Sequence, residues 1–271
     1  MRHPLSLMME TTGETLWAID ETRISAATDR APAQGGAGVA VIPLQGVLTP
    51  RSLTFFGRMI SPGMDSFRAQ LAQAVANPDV GAIVLDVNSP GGTYAATPET
   101  AAAVRAAAEQ KHVTAVVDTL CASAAYFIAS QANQVVSTPS GETGSIGVVA
   151  VHEEMSKLME DIGVRATIFR SRDSKADINS LEPLTESAKA AIQASVREAD
   201  DDFLKAVAKG RGLTAPQVRK LVDDNELGRT VSAQKALSLG LIDRVATMGE
   251  VIAGMIKPRP AARRRSAGAF I

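Results

Sequence analysis

Ser123 is the residue whose type and setting best suit nucleophilic chemistry. It stands between alanines after an apolar run at 113–117 that predicts a strand, and residues 123–131 are predicted as a helix. A serine at a helix N-terminus is commonly the N-cap. Its hydroxyl can equally be a nucleophile, because the helix dipole and the N–H of Ala124 would stabilise developing negative charge. Both interpretations stay open on this evidence.

Two further segments follow predicted strands and carry polar or glycine residues. The turn Asn88-Ser89-Pro90-Gly91-Gly92 follows the run 81–87, and Lys175 lies in the polar segment 171–177 after the run 164–169. Consecutive glycines allow backbone N–H groups to point at a ligand, although an ordinary strand-to-helix turn has the same composition. An uncharged lysine can act as a base, although most lysines are solvated.

Other catalytic chemistries find less support. Of the three histidines, His3 lies in an irregular region and His112 opens a strand at the end away from the usual sites of parallel sheets. Only His152 is placed where a Ser-His-Asp triad could use it, and no acid–His–Ser pattern supports that role. Cys121 resembles a packed hydrophobe more than a rival nucleophile. The sequence has no metal-ligand spacing and no P-loop or dinucleotide fingerprint, so we predict no metal and no cofactor.

The elements that must position these residues alternate along the chain. A short apolar run occupies 39–43. The predicted strands are 81–87, 113–117, 135–136, 146–151 and 164–169, and the predicted helices are 64–76, 95–109, 123–131, 153–161, 185–209, 214–222 and 232–239. Near-continuous apolar strands separated by helices indicate an α/β fold with a parallel sheet covered on both faces. Past residue 185 the pattern is helical only, which predicts a helical C-terminal part.

Composition limits the class of protein. The chain has 271 residues, 45% of them hydrophobic, a net charge of -1 and one cysteine. We therefore expect one domain at 38–256, with a flexible leader at 1–37 and a flexible basic tail at 257–271. Neither a signal peptide nor an apolar run of about 18 residues is present, so we expect a cytoplasmic protein without membrane or nucleic-acid partners.

Several motifs together resemble the signal peptide peptidase A family. They are the segments 86–92, 122–130, 143–148, 171–175, 182–186, 210–213 and 236–243. Their order and spacing agree with the family, and the resemblance covers roughly residues 39–246. It implies a fold like that of the Clp protease and the crotonases, and a serine peptidase that uses a Ser/Lys dyad.

The resemblance also implies roles for individual residues. Ser123 would be the nucleophile, Lys175 the general base, and Ser145 the residue that orients the lysine. A lysine that works as a base near neutral pH must have its pKa lowered by about 3 units, which corresponds to about 4 kcal/mol. We therefore expect Lys175 to be desolvated and within hydrogen-bond reach of Ser123 in the competent state.

The same resemblance implies an oxyanion hole formed by the N–H groups of Gly92 and Ala124, with Gly91 as a weaker candidate. Family members often carry Gly-Gly after the serine, whereas this chain carries Ala124-Ala125. Alanine keeps the N–H and adds a methyl group, so the departure bears on substrate range more than on activity.

The chain resembles the compact family members, without a membrane anchor, that occur in prophages and in phage head-assembly modules. The resemblance therefore implies an endopeptidase that cuts phage scaffold or capsid proteins during head maturation, in the bacterial cytoplasm or inside a procapsid. It also implies a homo-oligomer, a ring of subunits. The alternatives are a housekeeping cytoplasmic peptidase that degrades signal peptides or fragments, a crotonase-like acyl-CoA enzyme, and an inactive assembly protein.

Overall fold

The computed structural model describes residues 38–56 and 58–255. In this part of the chain the strands are β1 (Gly38–Gln45), β2 (Leu53–Phe55), β3 (Arg58–Ser61), β4 (Val80–Ser89), β5 (His112–Ala122), β6 (Gln134–Ser137), β7 (Glu142–Gly144), β8 (Thr230–Ser232) and β9 (Arg244–Val245). The helices are α1 (Met64–Ala76), α2 (Thr97–Ala108), α3 (Ala124–Ala129), α4 (Ser156–Asp161), α5 (Glu186–Arg211), α6 (Ala215–Asp224), α7 (Ala233–Ser238) and α8 (Met248–Met255).

The main sheet is mostly parallel and has the strand order β1-β4-β5-β6-β9. Its centre is in tight register, with Leu85 of β4 opposite Ile42 of β1 and Ala115 of β5. The short strand β7 extends the sheet beside the last residues of β5 in parallel, and it pairs with β8 in antiparallel fashion. Strands β2 and β3 form a separate antiparallel pair.

Both faces of the sheet are covered. The larger core packs residues of β4 and β5 against α1, α2, α3 and α5, and the rings of Phe127 in α3 and Phe203 in α5 lie 5.0 Å apart. On the opposite face, Val84, Val116 and Val136 pack against Val251 of α8. Burial on both faces explains why the central strands are almost continuously apolar.

The predicted α/β class is confirmed, and the C-terminal part is mainly helical, although it also contains the short strands β8 and β9, which the pattern past residue 185 did not predict. Helix α1 has the predicted bounds, and the helices predicted at 95–109, 185–209 and 214–222 begin and end within two residues of the observed α2, α5 and α6. Strand β5 continues to Ala122, five residues beyond the predicted end. The leader 1–37 and the tail 257–271 lie outside the described residues, and the domain boundaries stay predictions.

Two predicted strands are wrong. Residues 146–151 and 164–169 form no strand, and the strand in this region is β7, which ends just before the first of them. Most apolar residues of these runs are not buried: Val149 is 83% and Phe169 93% exposed, and only Ile146 at the start of the first run reaches the core. β-propensity reflects packing on a pleated surface, and these runs have no neighbouring strand in the described sheet to pack against.

The residues 149–187, here called the arm, differ from the rest of the molecule. None of them is buried, although α4 and several backbone hydrogen bonds give the arm local structure, such as that from the N–H of Met155 to the carbonyl of Ser180 (2.8 Å). Within the ranges 38–56 and 58–255, no helix combines the length and the apolar composition needed to cross a bilayer.

Candidate active site

Ser123 occupies a sharp turn between β5 and α3. Its backbone angles are φ 53° and ψ -125°, a conformation that is costly for any residue with a side chain and persists only where the surroundings enforce it. The side chain makes no capping hydrogen bond to the helix, so Ser123 is not the ordinary N-cap that the sequence also allowed. Ser123 is half-buried between the buried residues Ala122 and Ala124. A strained strand-to-helix turn of this kind presents a hydroxyl to a substrate.

Backbone hydrogen bonds hold this turn from both sides. The N–H of Ser123 donates to the carbonyl of Gly144 at 3.0 Å, and the N–H of Phe127 donates to the carbonyl of Ser123 at 3.0 Å. Ser145, predicted to orient the lysine, follows Gly144 directly and is half-buried. Its own N–H donates to the carbonyl of Arg229 at 2.9 Å. The structure therefore brings Ser145 next to the backbone that fixes Ser123.

The glycine turn after β4 lies against Ser123. A Cβ atom on Gly91 would stand 2.7 Å from the Cβ of Ser123 and 3.0 Å from the amide nitrogen of Ala124, closer than such atoms can approach. Gly91 also has φ +100°, which side chains rarely adopt. Only glycine fits here, and its absent side chain lets the turn contact the strained serine.

The hydrogen bonds of this turn set the direction of its N–H groups. The carbonyl of Gly91 accepts from the N–H of Leu48 at 2.8 Å, and the N–H of Gly91 donates to Oγ of Ser89 at 3.1 Å. The described part of the chain has no cis peptide bond. In a trans peptide the carbonyl and the following N–H point in opposite directions, so the N–H of Gly92 points away from Leu48.

Ala124 supplies a second available donor. It is the first residue of α3, and the first N–H groups of a helix have no acceptor inside the helix. The Gly91 Cα and the Ala124 N–H are neighbours, as the 3.0 Å approach shows. The available amides of Gly92 and Ala124 thus lie on the two segments that meet at Ser123.

Lys175 is the one predicted site residue that the structure does not bring to this place. It is exposed in the arm, where its N–H donates to the carbonyl of Arg172 at 2.9 Å, and no hydrogen bond joins its side chain to Ser123. The family resemblance gave Lys175 its predicted role, and the strand predicted before it at 164–169 is absent from the structure. The role of Lys175 therefore stays a prediction.

The rival groups are placed unfavourably. His152 lies in the arm, and His112 opens β5 at the opposite end of the strand from Ser123. Cys121 is fully buried, and this burial raises the pKa of its thiol well above the usual range, which leaves it inert. Among the described residues, no cluster of three His, Cys, Asp or Glu could bind a metal ion.

Ser89 is a residue that sequence reasoning missed. It belongs to the turn motif, but no role was predicted for it. The structure shows that it is completely buried and that its hydroxyl connects two loops. The only available signal was a serine between a strand end and a Pro-Gly-Gly turn, a composition shared by many ordinary turns.

A strained, uncapped serine beside available backbone N–H groups at the end of a parallel strand is the arrangement that serine hydrolases use. The comparison with known families agrees with this class. The chain belongs to Peptidase family S49, whose pattern matches residues 105–259, more than half of the sequence. The predicted enzyme class, a serine-type peptidase, is confirmed at the level of the family.

Individual relatives are similar over most of this chain. Capsid assembly protease C of Escherichia phage lambda is 29% identical over 85% of the chain and 52% of its own length. Protease 4 of Salmonella typhi is 30% identical over 83% of the chain and 35% of its own length. The Putative signal peptide peptidase SppA of Enterococcus faecium is 28% identical over 72% of the chain and 56% of its own length.

These similarities confirm the resemblance to the signal peptide peptidase A family and its phage-type members. The chain spans about half or less of the length of the two relatives that it matches over 85% and 83% of its sequence. Its activity and substrates are therefore matters for proposal.

Proposed function

We propose that this protein is a serine endopeptidase in which Ser123 attacks the scissile peptide bond and Lys175 is the general base. The observation that supports it most is the conformation of Ser123, strained and uncapped, with Gly91 in contact on one side and the start of α3 on the other. Backbone strain of this kind is retained where function requires it. Family membership supports the same reaction.

The mechanism assigns one task to each group. The uncharged Nζ of Lys175 takes the proton of the Ser123 hydroxyl as Oγ adds to the carbonyl carbon. The N–H groups of Gly92 and Ala124 donate to the oxyanion of the tetrahedral intermediate. The lysine ammonium then protonates the leaving amine, and water hydrolyses the acyl-enzyme by the same route. Ser145 orients the lysine. Gly91 contributes by lacking a side chain, since its N–H already donates to Ser89.

In a single chain Lys175 is exposed to solvent, although a general base of this kind needs a dry environment. Exposed apolar side chains follow the whole arm: Val149, Val151, Met155, Leu158, Ile162, Val164, Phe169, Ile178 and Leu181. Apolar surface of this extent is typical of protein contact surfaces. We infer that subunits associate through the arm into a homo-oligomer, a ring in the arrangement implied by the family, and that this association dries the surroundings of Lys175 and favours its uncharged form.

The substrate class follows from the similarity to the phage lambda capsid assembly protease. We propose that the chain cleaves phage scaffold or capsid proteins, in the host cytoplasm or inside a procapsid. The similarity to Protease 4 supports the alternative, a housekeeping peptidase that degrades signal peptides or fragments. Incubation with scaffold protein and with short signal peptides separates the two, because each proposal expects faster cleavage of its own substrate.

The decisive experiment compares the wild type with Ser123→Ala and Lys175→Ala on an unfolded protein substrate. Each substitution should lower kcat/KM by about 10³-fold or more. Lys157→Ala is the matched control, since Lys157 is also an exposed lysine of the arm and should retain activity. Unchanged cleavage by Ser123→Ala would contradict the proposal and favour an inactive assembly protein. Turnover of an acyl-CoA thioester in place of peptides would favour a crotonase-like enzyme.

A mixture of the two inactive variants locates the base. Recovery of activity on mixing Ser123→Ala with Lys175→Ala would mean that the lysine of one subunit serves the serine of another. If the mixture stays inactive, each chain supplies both groups. Size-exclusion chromatography with light scattering on the same samples verifies that mixed oligomers have formed.

A further inference from the structure

Ser89 connects the two loops that border the candidate oxyanion hole. Its hydroxyl donates to the carbonyl of Gly46 at 2.7 Å and accepts from the N–H of Gly91 at 3.1 Å. The residue is 0% exposed, and its partner Gly91 is buried, whereas Gly46 is half-buried. A buried hydroxyl with one donated and one accepted bond is satisfied, and its removal leaves the buried N–H of Gly91 unpaired and the carbonyl of Gly46 without its bond to Ser89.

Those two bonds determine how the Gly91–Gly92 peptide is oriented. Gly46 is the first residue after β1, and two residues later Leu48 binds the glycine turn: its N–H donates to the carbonyl of Gly91, and its carbonyl accepts from the N–H of Thr93 (2.9 Å). The peptide before Gly91 is held by Ser89, and the peptide after it is held by Leu48. Because the peptides on both sides of Gly91 are fixed, the N–H of Gly92, which belongs to the second of them, has one direction available.

The strand geometry at this point explains why a side chain is needed. The register between β4 and β5 shifts between Val87 and Ser89, where Ser89 comes opposite Cys121. The regular ladder therefore ends in an irregularity just before the turn. The ladder between β4 and β5 no longer dictates the path of residues 90–92, which is held by the isolated bridge between Leu48 and Gly92 together with the Ser89 hydroxyl.

From these contacts we propose that Ser89 is a positioning residue that holds the N–H of Gly92 in the orientation needed to bind the oxyanion. The inference rests on the proposed function, because it assigns a role within that reaction. Ser89 does not touch substrate, since it is completely buried. Ser89 therefore helps to stabilise the tetrahedral intermediate and does not affect the affinity for the peptide substrate.

Kinetics of Ser89→Ala test this role. We expect kcat to fall by about 10- to 100-fold, less than the ~10²–10³-fold for loss of a donor itself, with KM changed by no more than about twofold. Ser89→Thr keeps the hydroxyl and should recover most of the loss. A peptide boronate, which forms a tetrahedral adduct with the serine, should bind Ser89→Ala more weakly by the same factor as kcat falls. The affinity for uncleaved peptide, measured in the Ser123→Ala background, should not change.

Ser137→Ala is the matched control. Ser137 is also a completely buried serine of the same sheet, and its hydroxyl donates to the carbonyl of Thr138 at 3.0 Å. It should lose thermal stability as Ser89→Ala does, without a change in kcat. Hydrogen exchange gives a readout apart from activity, because the amide of Gly91 should exchange faster in Ser89→Ala and not in Ser137→Ala.

The possible failures are distinguishable. Full activity of Ser123→Ala would overturn the proposed function. An inactive Ser123→Ala together with wild-type kcat in Ser89→Ala would overturn the positioning role alone. Equal losses of kcat in Ser89→Ala and Ser137→Ala would overturn it too, since they would indicate a general effect on the sheet. If Ser89→Ala does not fold, the kinetics and hydrogen exchange of Ser89→Thr decide: wild-type values support the role, and lost boronate binding in a folded protein with an unchanged Gly91 amide overturns it.

Discussion

The surroundings of Ser123 and the arm are built in opposite ways. Around Ser123 the backbone is fixed by the carbonyl of Gly144, by the glycine turn and by the start of α3, with buried residues on both sides. The arm has no buried residue from 149 to 187 and keeps its shape through local bonds, including the ion pair of Arg170 with Glu182. One region is positioned by its own fold, and the other lacks the packing that would position it.

The difference indicates that the two residues of the proposed dyad have different structural requirements. The nucleophile and the oxyanion donors need fixed geometry, which a sheet edge and a helix N-terminus supply within one chain. The lysine needs a dry environment, which an exposed arm acquires only when something covers it. Activity would then depend on assembly, and an unassembled chain would carry a formed but inactive serine site.

The same glycine substitution in the two regions should give the largest contrast. Gly91→Ala introduces a Cβ 2.7 Å from the Cβ of Ser123 at φ +100°, so we expect kcat/KM to fall by about 10³-fold or more. Gly163→Ala in the arm has a similar positive φ, +79°, but its Cβ would meet nothing within 4 Å. Gly163→Ala should reduce the stability of the arm by about 1 kcal/mol and leave kcat/KM within about twofold of the wild-type value. Steady-state kinetics and circular dichroism on both variants measure this, and comparable losses would remove the contrast.

Two ion pairs give the next contrast. Asp243 receives two hydrogen bonds from the buried Arg211 and one from the N–H of Val135, and although burial opposes its ionisation, these bonds lower its pKa. Asp243→Asn should reduce the free energy of unfolding by about 2 kcal/mol, because the largely buried guanidinium of Arg211 loses its counter-charge and keeps only neutral acceptors such as the carbonyl of Gly240. Glu182→Gln in the arm should leave global unfolding unchanged and only speed hydrogen exchange within the arm.

The pH dependence follows from the same pair. Because the pKa of Asp243 is lower in the folded state, its contribution is complete above the pKa of an unfolded aspartate and is lost as the pH falls through the folded value. The hydrogen bond from Arg170 also lowers the pKa of Glu182, but the arm is not part of the core. Denaturation by urea between pH 7 and pH 3 should therefore show a smaller loss of stability on acidification for Asp243→Asn than for the wild type. An equal loss in both would contradict this account.

The central sheet could be predicted from the sequence because burial on two faces leaves a strong signature. Strands β4 and β5 are apolar along most of their length, and α1 has the spacing of a helix that packs one face on a sheet. Strand β7 has three residues and pairs only at the end of β5, so its sequence carries no such pattern. The runs 146–151 and 164–169 show the reverse error, because apolar residues that are mostly exposed in the chain have the same composition as residues that face a core.

The part of the site whose residues directly follow predicted strands could be predicted from the sequence. Ser123, Gly91 and Ala124 lie together because β4 and β5 are adjacent and parallel, which the alternation of strands and helices suggested. The strained angles of Ser123 and the role of Ser89 depend on three-dimensional contacts, and no local pattern encodes them. The position of Lys175 in the competent state stays a prediction, because no residue of the arm is buried against the rest of the chain.

An exposed phenylalanine in each part of the molecule gives the smallest and most direct test of that covering. Phe169 in the arm is 93% exposed and Phe56, which lies outside the arm, is 90% exposed. Loss of an exposed phenyl group changes the stability of a lone chain by only about 0.5 kcal/mol. Phe169→Asp should therefore unfold at nearly the wild-type temperature when dilute, yet weaken self-association and lower activity by about tenfold, because a charge would enter an apolar contact. Phe56→Asp should do neither.

Sedimentation velocity tests whether subunits associate through the arm. It is run over a range of protein concentrations, and activity is measured on the same dilutions. If activity rises with the assembled fraction in the wild type, and the curve for Phe169→Asp moves to higher concentration, the arm is the surface that subunits share. Wild-type mass and activity in Phe169→Asp would show that the arm stays uncovered. The base would then have to reach Ser123 by movement of the arm within its own chain.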